Sequence, residues 1–202
     1  MSVSTGLRQP TILLESAAAS SLVVVTTVDR VLRDPHTRSC ECARRALAVL
    51  ADQGIPVVLI ADMPADEMLD VLRELELEHP FVCDGGSALY VPRGYFSELT
   101  GVAESHSEWD VMEFRAARGA ADAVRLLVAL YKSNFDDAVV IGLVDRWVDR
   151  GVLEQVDVPV IVRNDEAESK RLRRRLPAAY VTRAAGPAGW SEAILGSVAE
   201  GA

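Results

Sequence analysis

Two hydrophobic periods alternate along the chain. Ser21–Val28, SLVVVTTV, is β-branched and largely apolar on both faces, the pattern of a parallel strand buried between two layers. Ile55–Ala61, Phe81–Cys83, Ala138–Leu143 and Val158–Val162 repeat it. Between these runs the spacing lengthens to that of a helix. Ser39 is a candidate cap for a helix ending near Gln53, with Cys42, Leu47 and Leu50 among its apolar positions. Pro64 opens a second helix carrying Met68, Leu69, Leu72 and Leu75. Ala120–Lys132 places Ala123, Leu126, Leu127, Leu130 and Tyr131 on one face. Residues 166–176 read as a charged helix and Trp190–Val198 as the last one. Ala88–Val91 and the region of Val181 add strands, and Thr11–Leu14 is a candidate edge strand within a loose leader, 1–20. Residues 92–117 are the least regular part.

Strands alternating with helices at this spacing predict an α/β fold: a three-layer sandwich around a mostly parallel, Rossmann-like sheet, spanning 21–202 as one domain. Right-handed crossovers would align the loops after the strands along one edge, where such folds bind ligands.

Composition narrows the function. Of 202 residues, 21 are Lys or Arg and 30 are Asp or Glu, a formal charge of −9. A general binder of nucleic acid or of anionic membranes needs the opposite balance. No apolar run approaches the ~18 residues of a membrane span. Leu22–Val25 is too short for a signal-peptide core, so the expected location is cytoplasmic. Cys40, Cys42 and Cys83 are an odd number of thiols, which argues against a disulfide framework, and no second Cys or His pair completes a metal site. His36, His79 and His106 have no triad or zinc spacing. The run Lys170, Arg171, Arg173, Arg174, Arg175 reads as a solvated helix face, with an anion or docking site as the alternative.

Carboxylates concentrate after the strands. Asp29 and Asp34 follow the first, Asp62 the second, Asp84 the third, and Asp145 and Asp149 the fourth. Gly85 and Gly86 can bring backbone N–H groups close to an anion. Carboxylates converging from separate loops suggest a hard cation such as Mg²⁺ with a phosphate companion. Ordinary helix caps and solvated loop acids account for the same residues equally well. The turn Val28-Asp29-Arg30-Val31 has no glycine, against a dinucleotide or P-loop site, and there is no G-x-S-x-G elbow.

Four stretches resemble the haloacid dehalogenase (HAD) superfamily, and within it the mannosyl-3-phosphoglycerate phosphatase group. They are Asp34-Pro35-His36-Thr37, GIPVVLIA (54–61), HPFVCDGGSALYVPRGYF (79–96) and GPAGWSEA (186–193), the last similar to the group's G-P-x-G-W-N-E-A. The resemblance implies a HAD-like core and an aspartyl nucleophile in a D-x-D-G-T loop. At the matching position stands Thr27, while Asp29 matches the acid/base, Arg30 the glycine and Val31 the threonine. Ala61 stands at the phosphate-holding Thr/Ser, followed by Asp62, which repels phosphate. Ala120 aligns with the family lysine, and Arg118 is the nearby cation that would replace it. Val144-Asp145-Arg146-Trp147-Val148-Asp149 matches G-D-x-x-N-D and keeps both acids. The resemblance therefore implies a weakened Mg²⁺ site at Asp29, Asp145 and Asp149, with Ala61, Asp62, Gly85 and Gly86 lining it. It also implies a substrate-specifying cap, here reduced to an insert at 87–119.

The expected function is a phosphatase-like protein that has lost the parent reaction and serves a binding, regulatory or structural role. The alternative is a divergent Mg²⁺-dependent phosphohydrolase of a small phosphorylated metabolite. A homodimer or a protein partner is expected, with Phe96, Trp109 and Trp147 as candidate interface residues.

Overall fold

A computed structural model describes residues 21–98, 104–106, 110–116 and 119–199. The leader 1–20 with its candidate strand, Arg118 and Trp109 lie outside the described residues. In chain order the elements are β1 (Leu22–Thr27), α1 (Glu41–Asp52), β2 (Val57–Ile60), α2 (Ala65–Glu74), β3 (Phe81–Cys83) and β4 (Ala88–Pro92). There follow β5 (Glu104–His106), β6 (Val111–Arg115), α3 (Ala120–Asn134), β7 (Val139–Val144), the short α4 (Arg150–Leu153) and β8 (Val158–Arg163). The chain continues through α5 (Glu166–Arg175), β9 (Tyr180–Ala185) and α6 (Gly186–Ala199).

The nine strands form one sheet in the order β5-β6-β4-β3-β2-β1-β7-β8-β9. β3-β2-β1-β7-β8-β9 pair in parallel, and β4, β5 and β6 join by antiparallel pairing. Every residue of β1 is buried, as a two-faced apolar strand requires. Its side chains divide by parity. Leu22 and Val24 pack with Ala43 and Leu50 of α1, Met68 of α2 and Trp190 of α6. Val23 and Val25 pack with Leu127 and Tyr131 of α3, Leu153 of α4 and Leu172 of α5. Each such fully buried aliphatic side chain contributes roughly 1.5–3 kcal/mol relative to an exposed one. The result is the expected α/β sandwich with a mixed, mostly parallel sheet.

Three elements differ from the sequence expectation. Residues 111–115, expected to be irregular, form β6 beside β4, and 104–106 form β5 at the sheet edge. Glu113 hides the strand period in VMEFR: it is 1% exposed in mid-strand and ion-paired with Arg115. The last helix begins at Gly186 rather than Trp190. Here β9 and α6 are clasped together by one side chain. The Glu192 carboxylate accepts from the backbone N–H groups of Arg183 and Ala184 and from the Tyr180 hydroxyl. Trp190 is fully buried, and Ser191 Oγ donates to the Cys42 carbonyl of α1 at 2.6 Å. A Cβ on Gly189 would fall on the Ala184 carbonyl and within 2.7 Å of Thr182 Oγ1, so the junction admits only glycine there.

Phe96, expected at an interface, is instead 4% exposed. It packs edge-on against Tyr95 and against Tyr131 of α3, within the buried cluster on that face of the sheet. Trp147 is half-buried between the guanidinium groups of Arg150 and Arg171, at 4.7 and 4.1 Å from its ring centre. Among the described residues, no helix is long and apolar enough to cross a membrane.

Candidate functional site

Parallel registers bring the carboxyl ends of the central strands to one edge. Thr27 pairs with Ile60, Ile60 with Val82, and Val144 with Ile161. The turns leaving these ends carry the acids noted in the sequence.

The turn after β1 folds back on itself. Val28 N–H donates to the Ile60 carbonyl, and the Arg33 and Leu32 N–H groups both donate to the Val28 carbonyl. Thr27 is buried, and its Oγ1 has no hydrogen-bond partner among the described residues. Asp29 projects outward with its side chain 51% exposed. Its Oδ1 accepts from Arg33 Nη2 at 2.6 Å and Nε at 3.2 Å. Arg30 holds a left-handed backbone, φ +69°, a conformation that suits glycine and costs an arginine ~1–2 kcal/mol. Its Nε donates to Asp145 Oδ2 at 2.7 Å.

Asp145 ends β7 and is 1% exposed. The same Oδ2 also accepts from Asn164 Nδ2 at 2.9 Å, and that amide donates to the Arg30 carbonyl at 2.9 Å. One side chain from the end of β8 thus ties the β1 turn to the end of β7. Asp149 receives Arg146 Nε at 3.2 Å. Burial raises the Asp149 carboxyl above its ordinary range; Arg146 opposes this, while the nearby Asp145 and Asp62 charges add to it. Asp145, Asp149 and Asp62 therefore share one neighbourhood.

Asp62 is exposed, with Oδ1 against Gly85, and Ala61 before it is buried. Gly85 and Gly86 form a short turn with Asp84, both glycines at positive φ. A Cβ on Gly86 would collide with the backbone of Ala120, where α3 begins. This close approach brings the two segments together without a lysine. The whole chain has two lysines. Lys132 is ion-paired with Asp157 and Lys170 with Glu166.

Asp34, grouped with the site acids in the sequence, serves its own turn. Its Oδ1 accepts the His36 and Thr37 N–H groups, and these backbone bonds lower its pKa. The residues that sequence reasoning did not single out for the site are Arg33 and Asn164. Asn164 gave no signal beyond its position after a strand; Arg33 sits four residues past Asp29, a spacing typical of a local ion pair.

The predicted metal ligands Asp29, Asp145 and Asp149 are each engaged by an arginine: Arg33, Arg30 and Arg146 respectively. Among the described residues, no three His, Cys, Asp or Glu side chains are grouped to hold a metal ion. Asp145 Oδ2 is taken by the Arg30 guanidinium and the Asn164 amide, while the buried Oδ1 has no hydrogen-bond partner among the described residues; with an arginine on each of the three acids and no third ligand grouped with them, this arrangement does not fit a divalent metal.

No protein-family model matches the chain. Curated relatives do. A glucosyl-3-phosphoglycerate/mannosyl-3-phosphoglycerate phosphatase of Methanococcoides burtonii is 31% identical over 120 residues, 57% of this chain and 44% of the relative. A protein of the same description from Persephonella marina is 30% identical over 74 residues, 37% of this chain and 28% of the relative. A histidinol-phosphate aminotransferase of Methanothermobacter thermautotrophicus is 32% identical over 163 residues, 76% of this chain and 42% of the relative. The matches thus span less than half the length of these relatives. Among solved structures, a Thermoplasma acidophilum protein has a TM-score of 0.62 at 12% identity, covering 86% of this chain and 96% of that one. The 3-deoxy-D-manno-octulosonate 8-phosphate phosphatase of Yersinia pestis has a TM-score of 0.59 at 17% identity, covering 94% and 86%. A cobalt-bound deoxy-D-mannose-octulosonate 8-phosphate phosphatase of Haemophilus influenzae has a TM-score of 0.55 at 13% identity, covering 92% and 93%. The chain therefore shares its fold with these solved phosphatases.

Proposed function

We propose that this chain is a HAD-like phosphatase relative that does not carry out aspartyl phosphoryl transfer and acts instead by binding, as a regulatory or structural partner. Thr27 carries the reading. A buried hydroxyl with no hydrogen-bonding base beside it is a poor nucleophile, because its pKa is far above that of a carboxylic acid. The surroundings agree. Phosphoryl transfer relies on positioned positive charge. Both lysines of the chain are ion-paired to Asp157 and Glu166, and Ala61 and Asp62 stand where a phosphate would need a hydroxyl. The described parts of the 87–119 insert extend the sheet as β4, β5 and β6, which supports the reading of a reduced cap. The phosphatase matches outweigh the aminotransferase match because the solved phosphatases share the architecture along nearly the whole chain.

One observation favours the second reading, a divergent phosphohydrolase of a small phosphorylated metabolite: Asp29 remains half-exposed at the strand edge, where it can reach a bound water. The test is phosphate release from a panel of small phosphate monoesters, with and without Mg²⁺, run beside Asp145→Ala protein to expose a contaminating phosphatase. No release above that control is expected. Turnover that disappears in the variant would replace the binding role with a hydrolase.

A further inference from the structure

We propose that the Arg30 guanidinium is the resident cation of this site, and that it closes Asp145 to divalent metal. The inference deepens the binding-role reading and rests on it for the identity of the site. It starts from the burial of Asp145. A carboxylate at 1% exposure needs a positive partner held close, or it loses its hydration uncompensated. Here that partner is covalently part of the chain. Arg30 Nε lies 2.7 Å from Oδ2, and Asn164 fills a second position on the same oxygen.

The backbone gives an independent reason. Arg30 holds φ +69°, where a β-carbon is crowded and glycine is at ease. The cost of this conformation is set against what the side chain reaches, and that side chain reaches Asp145. The same turn repeats the device, since Arg33, buried and doubly bonded to Asp29 Oδ1, neutralises the neighbouring carboxylate. Arg146 does so for Asp149. Three carboxylates are matched by three arginines from two turns. A divalent ion at Oδ2 would have to break the Arg30 and Asn164 bonds at once, and one at the unpartnered Oδ1 would still sit beside the Arg30 guanidinium. Like-charge repulsion at that distance opposes it.

Metal binding, read without turnover, tests this. Mn²⁺ is titrated into the whole protein and followed by electron paramagnetic resonance, with thermal unfolding in Mg²⁺ alongside. The native chain is expected to show no Mn²⁺ binding and no rise in Tm at millimolar metal. Arg30→Gly, which frees Asp145 and relaxes the backbone, is expected to bind Mn²⁺ at least tenfold more tightly and to gain Tm when Mg²⁺ is added. Arg30→Gln, which removes the charge and shortens the side chain while keeping a polar end, serves if the glycine variant does not fold. Native protein that binds Mn²⁺ and loses it in Asp145→Asn overturns the proposal. So does an Arg30 variant that folds and still ignores Mn²⁺, because something other than Arg30 would then exclude the metal. The two readings fail separately. Metal-free phosphate release would end the binding-role reading and leave this one, whereas Mn²⁺ binding without phosphate release would do the reverse.

Discussion

The turn after β1 and the junction of β9 with α6 both align with stretches of the phosphatase pattern, but they follow it to different degrees. At the junction, Gly189, Trp190 and Glu192 all stand where the pattern places them, and each is explained by packing or by hydrogen bonds within the fold. At the turn only Asp29 remains, and the neighbouring positions hold a buried threonine, a strained arginine and a valine. At the junction the residues that resemble the pattern each serve packing or hydrogen bonding within the fold. At the turn, where the resemblance places the chemistry, Thr27, Arg30 and Val31 depart from it and the acids are held in internal ion pairs. A sequence match at the junction therefore reports the fold, and only the turn reports activity.

The largest effect that can break this comparison is at Trp190. Trp190→Ala empties the centre of the layer formed by α1, α2 and α6 and is expected to cost ~3–5 kcal/mol in urea unfolding. A loss under ~1 kcal/mol, below any large-to-small core substitution of this size, would mean that Trp190 does not fill the core of that layer.

Glu192→Gln is expected to have a smaller effect, ~1–2 kcal/mol at neutral pH, since the amide keeps the shape but loses the charge-assisted bonds. Its pH dependence is the sharper readout. Burial alone would raise the Glu192 carboxyl; the N–H groups of Ala184 and Arg183 and the Tyr180 hydroxyl outweigh it, and the net shift is downward. A carboxylate depressed in the folded state stabilises fully above its unfolded pKa, about 4.3, and loses that contribution as pH falls through the folded value. The gap between native protein and variant is thus expected to be constant at neutral pH and to narrow below about pH 4.3. A gap that stays constant into acid would assign the effect to shape alone.

How much of this was legible depends on range. The parallel strands were plain because both faces of each are apolar, and β1, β2, β7 and β8 emerged within two residues of their expected bounds at either end. β6 was hidden by a buried Glu113 whose partner, Arg115, lies on the same strand. The acids of the site were legible as a group because they follow strands. Their arginine partners were not, because the pairing of Arg30 with Asp145 spans 115 positions and depends on β1 lying beside β7. Asp34 was misleading for the opposite reason, since its bonds close within three residues.

The smallest effect is expected where a catalytic turn would show the largest. Thr27 is buried at the end of β1, and its hydroxyl meets no acceptor or donor among the described residues. Thr27→Val exchanges that hydroxyl for a methyl group of similar size. Removing a hydroxyl that takes part in a buried hydrogen bond costs ~1 kcal/mol or more, whereas removing one without a partner is close to neutral or stabilising. Thr27→Val is therefore expected to shift stability by less than ~1 kcal/mol, with the sign toward greater stability. A clear loss would show that Thr27 Oγ1 is engaged in the folded protein. The turn would then hold a hydrogen-bonded hydroxyl at the nucleophile position, and its contrast with the junction would shrink to the arginines alone.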